Sequence, residues 1–417
     1  MDKELLKTII ADQRTLGLPA SYVSRALERD LRAQVKSNAI VIIAGVRRCG
    51  KSTLLHALRH TAKERDYYFN FDDERLVDFT VRDFRLLEEV FLELFGEQKT
   101  YYFDEIQNIK GWERFVRRLH DYGKKVYITG SNASMLSREL GTHLTGRFVQ
   151  MTLYPFSFAE FLVLKGKSLK ANGVLTTKER VALVRLFKEY MRVGGFPGYI
   201  SERNGESFKA LYESIVYRDI IARYNLSNER PIKELVYFCA SNVGKMISFN
   251  ALKDVIGVKG STTVKEYFAY LENSFLTFLL PQFHHSLKTQ LRSGKKIYFI
   301  DPAFAYHVGF RSSADRGRFL ENIVFLQFLR AGSDCYFART EKGECDFVVR
   351  TGGKITQAVQ VCYTLTARNR DREINGLLGA LEEYGLKKGA IVTLEESGEV
   401  KTGDKVIEIV PVWQWLL

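Results

Sequence analysis

The sequence predicts an α/β protein: a parallel sheet of buried strands wound with helices, then a mostly helical middle, then a second and smaller α/β unit. Three observations predict it. Four short, almost wholly apolar runs stand at 39–44, 67–71, 100–103 and 125–129, the pattern of strands covered on both faces. Helix-like segments at 52–65, 84–95 and 112–122 separate them. A glycine-bracketed segment, GVRRCGKS at 45–52, joins the first run to the first helix.

In chain order, residues 1–36 read as a charged helical lead-in. Strand and helix then alternate, which implies a doubly wound sheet. That unit is expected to end near 148–155, where Pro-Phe-Ser-Phe breaks the pattern. Residues 156–230 are mostly helical, interrupted by a turn at GGFPG, 194–198. Residues 231–300 hold two helices and a hairpin, and from about 316 the order is helix, short strands, helix, strand. The expected domains are 1–155, 156–230, 231–312 and 313–417.

A chain of 417 residues is too long for one ordinary domain. With 46% hydrophobic and 27% charged residues it has the balance of a soluble globular protein. No apolar run reaches the ~18 residues of a membrane-spanning helix, and the opening MDKELLKTIIADQR lacks a signal peptide's features. Cys49, Cys239, Cys335, Cys345 and Cys362 are scattered and odd in number, which argues against disulfides or zinc and for a reducing, cytoplasmic home. The net charge of +13 favours a polyanionic partner, nucleic acid first and an acidic membrane surface second. A dispersed basic surface that only aids solubility is the alternative.

GVRRCGKS matches the phosphate-binding loop G-x-x-x-x-G-K-[ST] at every position, after a buried strand and before a helix, as the mechanism requires. Gly45 and Gly50 let the backbone of Val46, Arg47, Arg48 and Cys49 wrap close to phosphate. The loop's N–H groups and the helix start at Lys51, Ser52 and Thr53 supply positive field. Lys51 is expected to reach the β- and γ-phosphates of ATP and Ser52 to ligate Mg²⁺. The apolar strand 100–103 ends in Asp104 and Glu105: Asp104 for Mg²⁺, Glu105 to polarise the attacking water. Adjacent acids with separate tasks point to hydrolysis of ATP. The next strand ends in Thr-Gly-Ser-Asn, where Asn132, with Ser131 as the rival, is expected beside the γ-phosphate. Arg147 is a candidate cationic finger for a neighbouring subunit, a surface arginine being the other reading. Cys49 reads as a small side chain, with oxidation sensitivity as the alternative.

GVRRCGKSTLL, Asn-Phe-Asp-Asp-Glu-Arg-Leu at 70–76, Asp-Glu-Ile-Gln at 104–107 with Trp112, and Thr-Gly-Ser-Asn at 129–132 together resemble the AAA-type, archaeal-like ATPases. Gly-Gly-Phe-Pro at 194–197 and Tyr-Arg-Asp-Ile at 217–220 resemble the domain of unknown function that follows this module. The resemblance covers nearly the whole chain. It implies a P-loop, parallel-sheet AAA+-like ATPase domain and a homo-oligomer, and it fixes no biological role.

Residues 248–256 read as a short helix, 257–260 as a turn, and Ser261 as the cap of a longer helix to about 275. That is helix-turn-helix spacing, with Thr262, Thr263 and Lys265 at the start of the second helix. Strand-like runs at 278–283 and 296–300 follow, and the loop between them carries Lys288, Arg292 and Lys295. Two helices and a basic hairpin give the outline of a winged helix whose wing lies along phosphates; protein docking is the alternative. The last unit, with Glu321 opening a helix and strands at 344–348 and 357–362, resembles the PD-(D/E)XK nuclease core. Asp346 is present, but Gln360 stands for the second acid and Cys362 for the lysine, so the resemblance implies a kept fold without cleavage. The leading reading is an ATP-driven DNA-binding motor acting on branched or end-containing DNA. The rival is an ATP-gated switch for a protein partner, and an active nuclease is disfavoured.

Overall fold

Residues 40–44, Ile-Val-Ile-Ile-Ala, are all buried, as a strand with neighbours on both sides requires. This is β1 (Ile40–Ala44) in a computed structural model that describes residues 1–132, 146–167, 175–202, 205–310 and 316–417. The chain divides into two units, Met1–Tyr154 with Asn273–Phe275, and Pro155–Glu272 with Leu276–Leu417. The expected boundary at 312/313 lies outside the described residues.

In the first unit β1 is joined by β2 (Tyr68–Asn70), β3 (Thr100–Asp104), β4 (Lys125–Gly130) and β5 (Phe148–Thr152). The order is β2-β3-β4-β1-β5 and every pairing is parallel. The fold class is therefore the expected one, an α/β chain with a parallel P-loop sheet. β5 is an addition to it: the segment expected to close the unit pairs with β1 along its whole length, Ile40 opposite Phe148 to Ala44 opposite Thr152.

The helices are α1 (Lys3–Arg14), α2 (Leu27–Ala33), α3 (Lys51–His60), α4 (Phe84–Phe95) and α5 (Trp112–Asp121). α3 is shorter than expected and ends at His60, leaving 61–67 to connect to β2. α4 buries Phe84, Leu87, Val90 and Phe91, one face of a 3.6-residue repeat, and Phe84 stacks on Phe115 of α5 at 4.1 Å. From α1, Gln13 pairs with the backbone of edge strand β2, accepting from Asn70 N at 2.8 Å and donating to Asn70 O at 3.0 Å. That covers polar groups which an open sheet edge exposes.

The second unit begins with helices Phe158–Leu164 and Thr177–Val193, both closed at their N-termini by capping boxes, at Ser157 and Thr176. Gly194, with φ +69°, ends the second. Helices Arg230–Ser241, Phe249–Val255 and Ser261–Asn273 accompany an antiparallel sheet of β6 (Met246–Ile247), β7 (Thr277–Pro281) and β8 (Lys295–Phe299), ordered β6-β8-β7. After the helix Arg316–Arg330 come β9 (Asp334–Thr340), β10 (Gly343–Thr351), β11 (Lys354–Val361), β12 (Lys388–Thr393), β13 (Gly398–Thr402) and β14 (Lys405–Pro411). They form one mixed sheet, β13-β14-β12-β11-β10-β9. The helix Arg370–Glu383 packs Leu377, Ala380 and Leu381 into its core with Val348, Ala358, Ile391 and Ile407.

Candidate functional site

Because the strands of the first sheet are parallel, the segments leaving β1, β3 and β4 emerge along one edge, where open α/β sheets hold ligands. The loop 45–50 leaves β1, Asp104 and Glu105 end β3, and Ser131 and Asn132 follow β4, which lies between the other two. These expected residues are brought together.

Gly45 must be glycine: a Cβ there would stand 2.2 Å from the carbonyl oxygen of Leu153. Gly50, at φ +104°, is the left-handed residue from which α3 starts, and no side chain caps that helix. The N–H groups of Lys51, Ser52 and Thr53 thus begin a helix whose positive end faces the loop. Lys51 is buried at 4% exposure; its Nζ donates to the Val46 carbonyl at 3.3 Å and stands 3.3 Å from Glu105 Oε1. Cys49 is fully buried with its Sγ 3.3 Å from Leu153 O, and burial raises its thiol pKa. It packs the loop, and the oxidation-sensitive alternative loses its support. Arg47 lies 3.7 Å from Asp72, in the 70–76 segment, and Arg48 has φ +62°.

The two acids are held differently. Asp104 is buried at 1% exposure, takes a bond from Tyr68 Oη at 3.4 Å, and is bonded by the hydroxyls of Thr129 and Ser52. Thr129 Oγ1 also accepts from Glu105 N at 2.9 Å, so one hydroxyl ties both acids to β4. Glu105 adopts φ +51°, a conformation that costs a non-glycine residue energy, and Gln107 Nε2 donates to its Oε2. Burial pushes the Asp104 carboxyl up to about 6, with the Glu105 charge adding to it. Burial also opposes ionisation of Glu105, but Lys51, Gln107 and Arg47 outweigh it and hold that carboxyl below its usual range. Lys51 remains cationic for the reciprocal reason: burial lowers its pKa, and Glu105, Cys49 and Asp104 raise it by more.

The donor set suits a polyphosphate with a hard cation. A buried ammonium, an uncapped helix start and glycines that admit close approach face the phosphate side, and a hydroxyl and a carboxylate supply oxygen ligands.

Arg147 immediately precedes β5. Its carbonyl accepts from Ile40 N at 2.9 Å, at the start of β1, and its guanidinium lies 3.4 Å from Asp121. It therefore sits at the edge of the sheet opposite the loop of its own chain. Leu144 and Thr145 before it lie outside the described residues. Arg25 was not foreseen. It is 6% exposed and donates to Cys49 O at 3.0 Å and to Tyr154 O at 2.6 Å, bracing the loop from behind. Nothing in the basic lead-in marks it out among its neighbours.

In the second unit Thr262 and Lys265 are exposed and Thr263 is half-buried at the start of the helix Ser261–Asn273. The loop between β7 and β8 contains a helix, Leu287–Arg292, that places Lys288 and Arg292 on the surface. This corrects the expected open loop. Lys295 is no loop residue: it belongs to β8, opposite Pro281 on one side and Ile247 on the other.

Asp346 and Glu321 do meet, and Glu344 joins them. At their centre is Lys296 of β8, 4% exposed on its side chain, at 3.0 Å from Glu321, 2.8 Å from Glu344 and 2.8 Å from Asp346. The expectation of a site without a lysine is corrected: a lysine arrives from another strand. Gln360 accepts from Asp346 N at 3.1 Å and donates to Glu373 at 2.7 Å, so its oxygen is already engaged. Gln360 and Cys362 line the same cavity of about 590 Å³ as the three acids.

Residues 37–162 match the family described as an AAA domain. Residues 184–315 and 316–415 match two families described as domains of unknown function, DUF8612 and DUF4143. An uncharacterized protein of Methanocaldococcus jannaschii is 32% identical over 100% of this chain and 96% of its own length. One from Haemophilus influenzae is 30% identical over 91% and 94%. Among solved structures, a signal transduction ATPase with numerous domains and a tetratricopeptide repeat sensor, from Pyrococcus horikoshii, is similar at 16% identity and a TM-score of 0.29, covering 75% of this chain and 46% of that one. Among the described residues, no helix is long and apolar enough to cross a membrane.

Proposed function

This chain belongs to one family with the Methanocaldococcus protein, AAA-domain ATPases with C-terminal domains of unknown function, and from that premise we propose that it hydrolyses ATP and uses the cycle to act on DNA. The observation that carries the first half is the convergence of the 45–53 loop, Asp104, Glu105, Ser131 and Asn132 on one sheet edge.

In this reading Lys51 binds the β- and γ-phosphates, and the N–H groups of 46–53 orient them. Ser52 and Asp104 would hold Mg²⁺, which when bound supplies positive charge to the phosphate oxygens. Glu105 is kept ionised by Lys51, Gln107 and Arg47, which suits a group that takes a proton from the attacking water. Asn132 or Ser131 contacts the γ-phosphate and carries its presence into β4. Homo-oligomerisation belongs to this proposal through the family resemblance.

The DNA half rests on the net charge of +13 and on the basic, exposed positions Lys265, Lys288 and Arg292, which the proposed winged helix would turn toward phosphates. The last unit is proposed as a nuclease-like module that binds without cutting. The domains proposed are 1–155 for the ATPase core, 156–230 for the helical linker, 231–312 for the winged helix and 313–417 for the nuclease-like unit.

The test is the ATPase rate of the wild type and of Lys51→Ala, with and without linear and four-way-junction DNA. Turnover that Lys51→Ala abolishes and DNA accelerates supports the proposal. Turnover indifferent to every DNA form favours the ATP-gated switch with a protein partner.

A further inference from the structure

A basic cavity lies in the first unit, at the end of α3 away from the phosphate loop. It encloses about 270 Å³ and is lined by Arg14, His56, Arg59, His60 and Arg65, with Leu16 and Leu18 on its apolar side and Asp66 as its acid. Three guanidinium groups face one carboxylate, and that carboxylate is already engaged, 3.1 Å from Arg14 and 2.8 Å from Gln98 Nε2. Arg59 lies with its guanidinium carbon 4.4 Å from the Tyr68 ring centre, and its Nη1 is buried with no hydrogen-bond partner. A buried guanidinium N–H without an acceptor is costly. Arg59 and His60 also close the last turn of α3, whose dipole alone would disfavour an anion there; their side chains turn that end basic.

We propose that this cavity binds a small phosphorylated anion, of the size of phosphate or pyrophosphate, with Arg59 as the inner ligand and Arg14 and Arg65 at the mouth. Its volume lies just under the range for drug-sized ligands, and fork-shaped guanidinium groups suit phosphate oxygens. Burial, with Arg14 beside it, lowers the Arg59 pKa, as expected of a cation lacking its counter-charge. His56 is held neutral at neutral pH, pushed down to about 4 by burial and by Arg59, and serves as a wall. Because α3 starts in the phosphate loop and ends here, an anion in this cavity is placed to bias the nucleotide site through one rigid helix.

The experiment is calorimetric titration of the full chain with pyrophosphate in a Lys51→Ala background, which removes the lysine of the other phosphate site. Arg59→Ala and Arg65→Glu are added singly, and duplex DNA is titrated in parallel. One equivalent of pyrophosphate, weakened at least tenfold by each variant, is the expected result. Should Arg59→Ala fail to fold, the exposed Arg65→Glu decides. No binding in the Lys51→Ala background, or binding that Arg65→Glu leaves unchanged, overturns the proposal. So does duplex DNA that depends on Arg65 when pyrophosphate does not bind, since the cavity mouth then meets a nucleic-acid backbone.

Discussion

Arg25 Nη1 donates to the carbonyl oxygen of Cys49 at 3.0 Å, linking the N-terminal lead-in to the middle of the phosphate loop. Its Nη2 holds Tyr154 O at 2.6 Å, just past β5. Both acceptors are backbone, so the guanidinium fixes the loop's path whatever side chains it carries. Hydrogen bonds to charged groups contribute about 1.5–3 kcal/mol each. Arg25→Ala is expected to weaken ATP binding about tenfold or more and to lower the thermal midpoint. Fluorescent-nucleotide titration checks it; ATP affinity equal to wild type would show that the loop keeps its shape unaided.

Glu105→Gln is expected to bind ATP as the wild type does and to slow hydrolysis by about 10²-fold or more, since a positioned base contributes that much. The amide keeps the side chain's size but cannot take a proton. Single-turnover measurement at saturating ATP separates the step from binding. Wild-type turnover by this variant would move the base to another residue.

The basic positions near the β7–β8 loop differ in what they can give to DNA. Lys288 and Arg292 are exposed on their short helix, whereas Lys295 is half-buried in β8. Reversing Lys288 and Arg292 together is expected to weaken DNA binding across sequences and flatten its salt slope by about two contacts' worth. Reversing Lys295 as well should add little slope. A titration series in salt whose slope is the same for wild type and double variant removes this helix from the interface.

What could be read from the sequence depended on how local its cause was. β1, β3 and β4 are apolar on both faces, and their ends are marked by glycine or acid, so strand and loop chemistry were legible together. β5 was not: it is an edge strand, half-buried over Phe148–Thr152 with Gln150 exposed, and its apolar signal is accordingly weak. The Lys296 cluster was illegible for a different reason. Its bonds to Glu321 and Asp346 span 25 and 50 residues, and no periodicity reports a partner that tertiary folding supplies. Arg25 and Arg147 are alike in sequence, each a basic residue near a turn. Only the sheet's direction puts one against the loop and the other at the far edge.

Asp301 gives a pH signature independent of the nucleotide site. It is buried and accepts from Gly195 N at 2.6 Å and Ala303 N at 2.8 Å. Burial nonetheless pushes its carboxyl up to about 7, against about 4 in an unfolded chain. A raised folded-state value means that the protonated acid favours the fold. Its stabilisation is complete below about pH 4 and is lost as pH rises to about 7, a few kcal/mol in all. Asp301→Asn cannot titrate and turns a donor toward one of the two N–H groups, so it is destabilised at every pH but lacks this slope. Thermal midpoints of both proteins from pH 5 to pH 8 should draw closer as pH rises. A constant gap would assign the carboxyl an ordinary value.

The C-terminal unit is expected not to cut DNA, because its lysine is already engaged by the acids around it. Metal-dependent cleavage needs carboxylates free to hold Mg²⁺ and a cation free to meet the reacting phosphate. Lys296 instead bonds Glu321, Glu344 and Asp346 at once, and Asp346 Oδ2 also accepts from Val361 N at 3.0 Å. Gln360 brings no charge, and its oxygen is occupied by Asp346 N. A divalent ion would have to displace a buried ammonium from the acids that compensate it, and the lysine would then stand buried and unpaired. Breaking such a pair costs about 3–5 kcal/mol, which Mg²⁺, reluctant to shed its water, is poorly suited to offset. Lys296→Met, which strands three carboxylates, is expected to lower the thermal midpoint sharply. Incubation of the wild type with linear and four-way-junction DNA, in Mg²⁺ and then Mn²⁺, is expected to leave both intact. Specific cleavage that disappears in Asp346→Ala would overturn this and make Lys296 a catalytic cation.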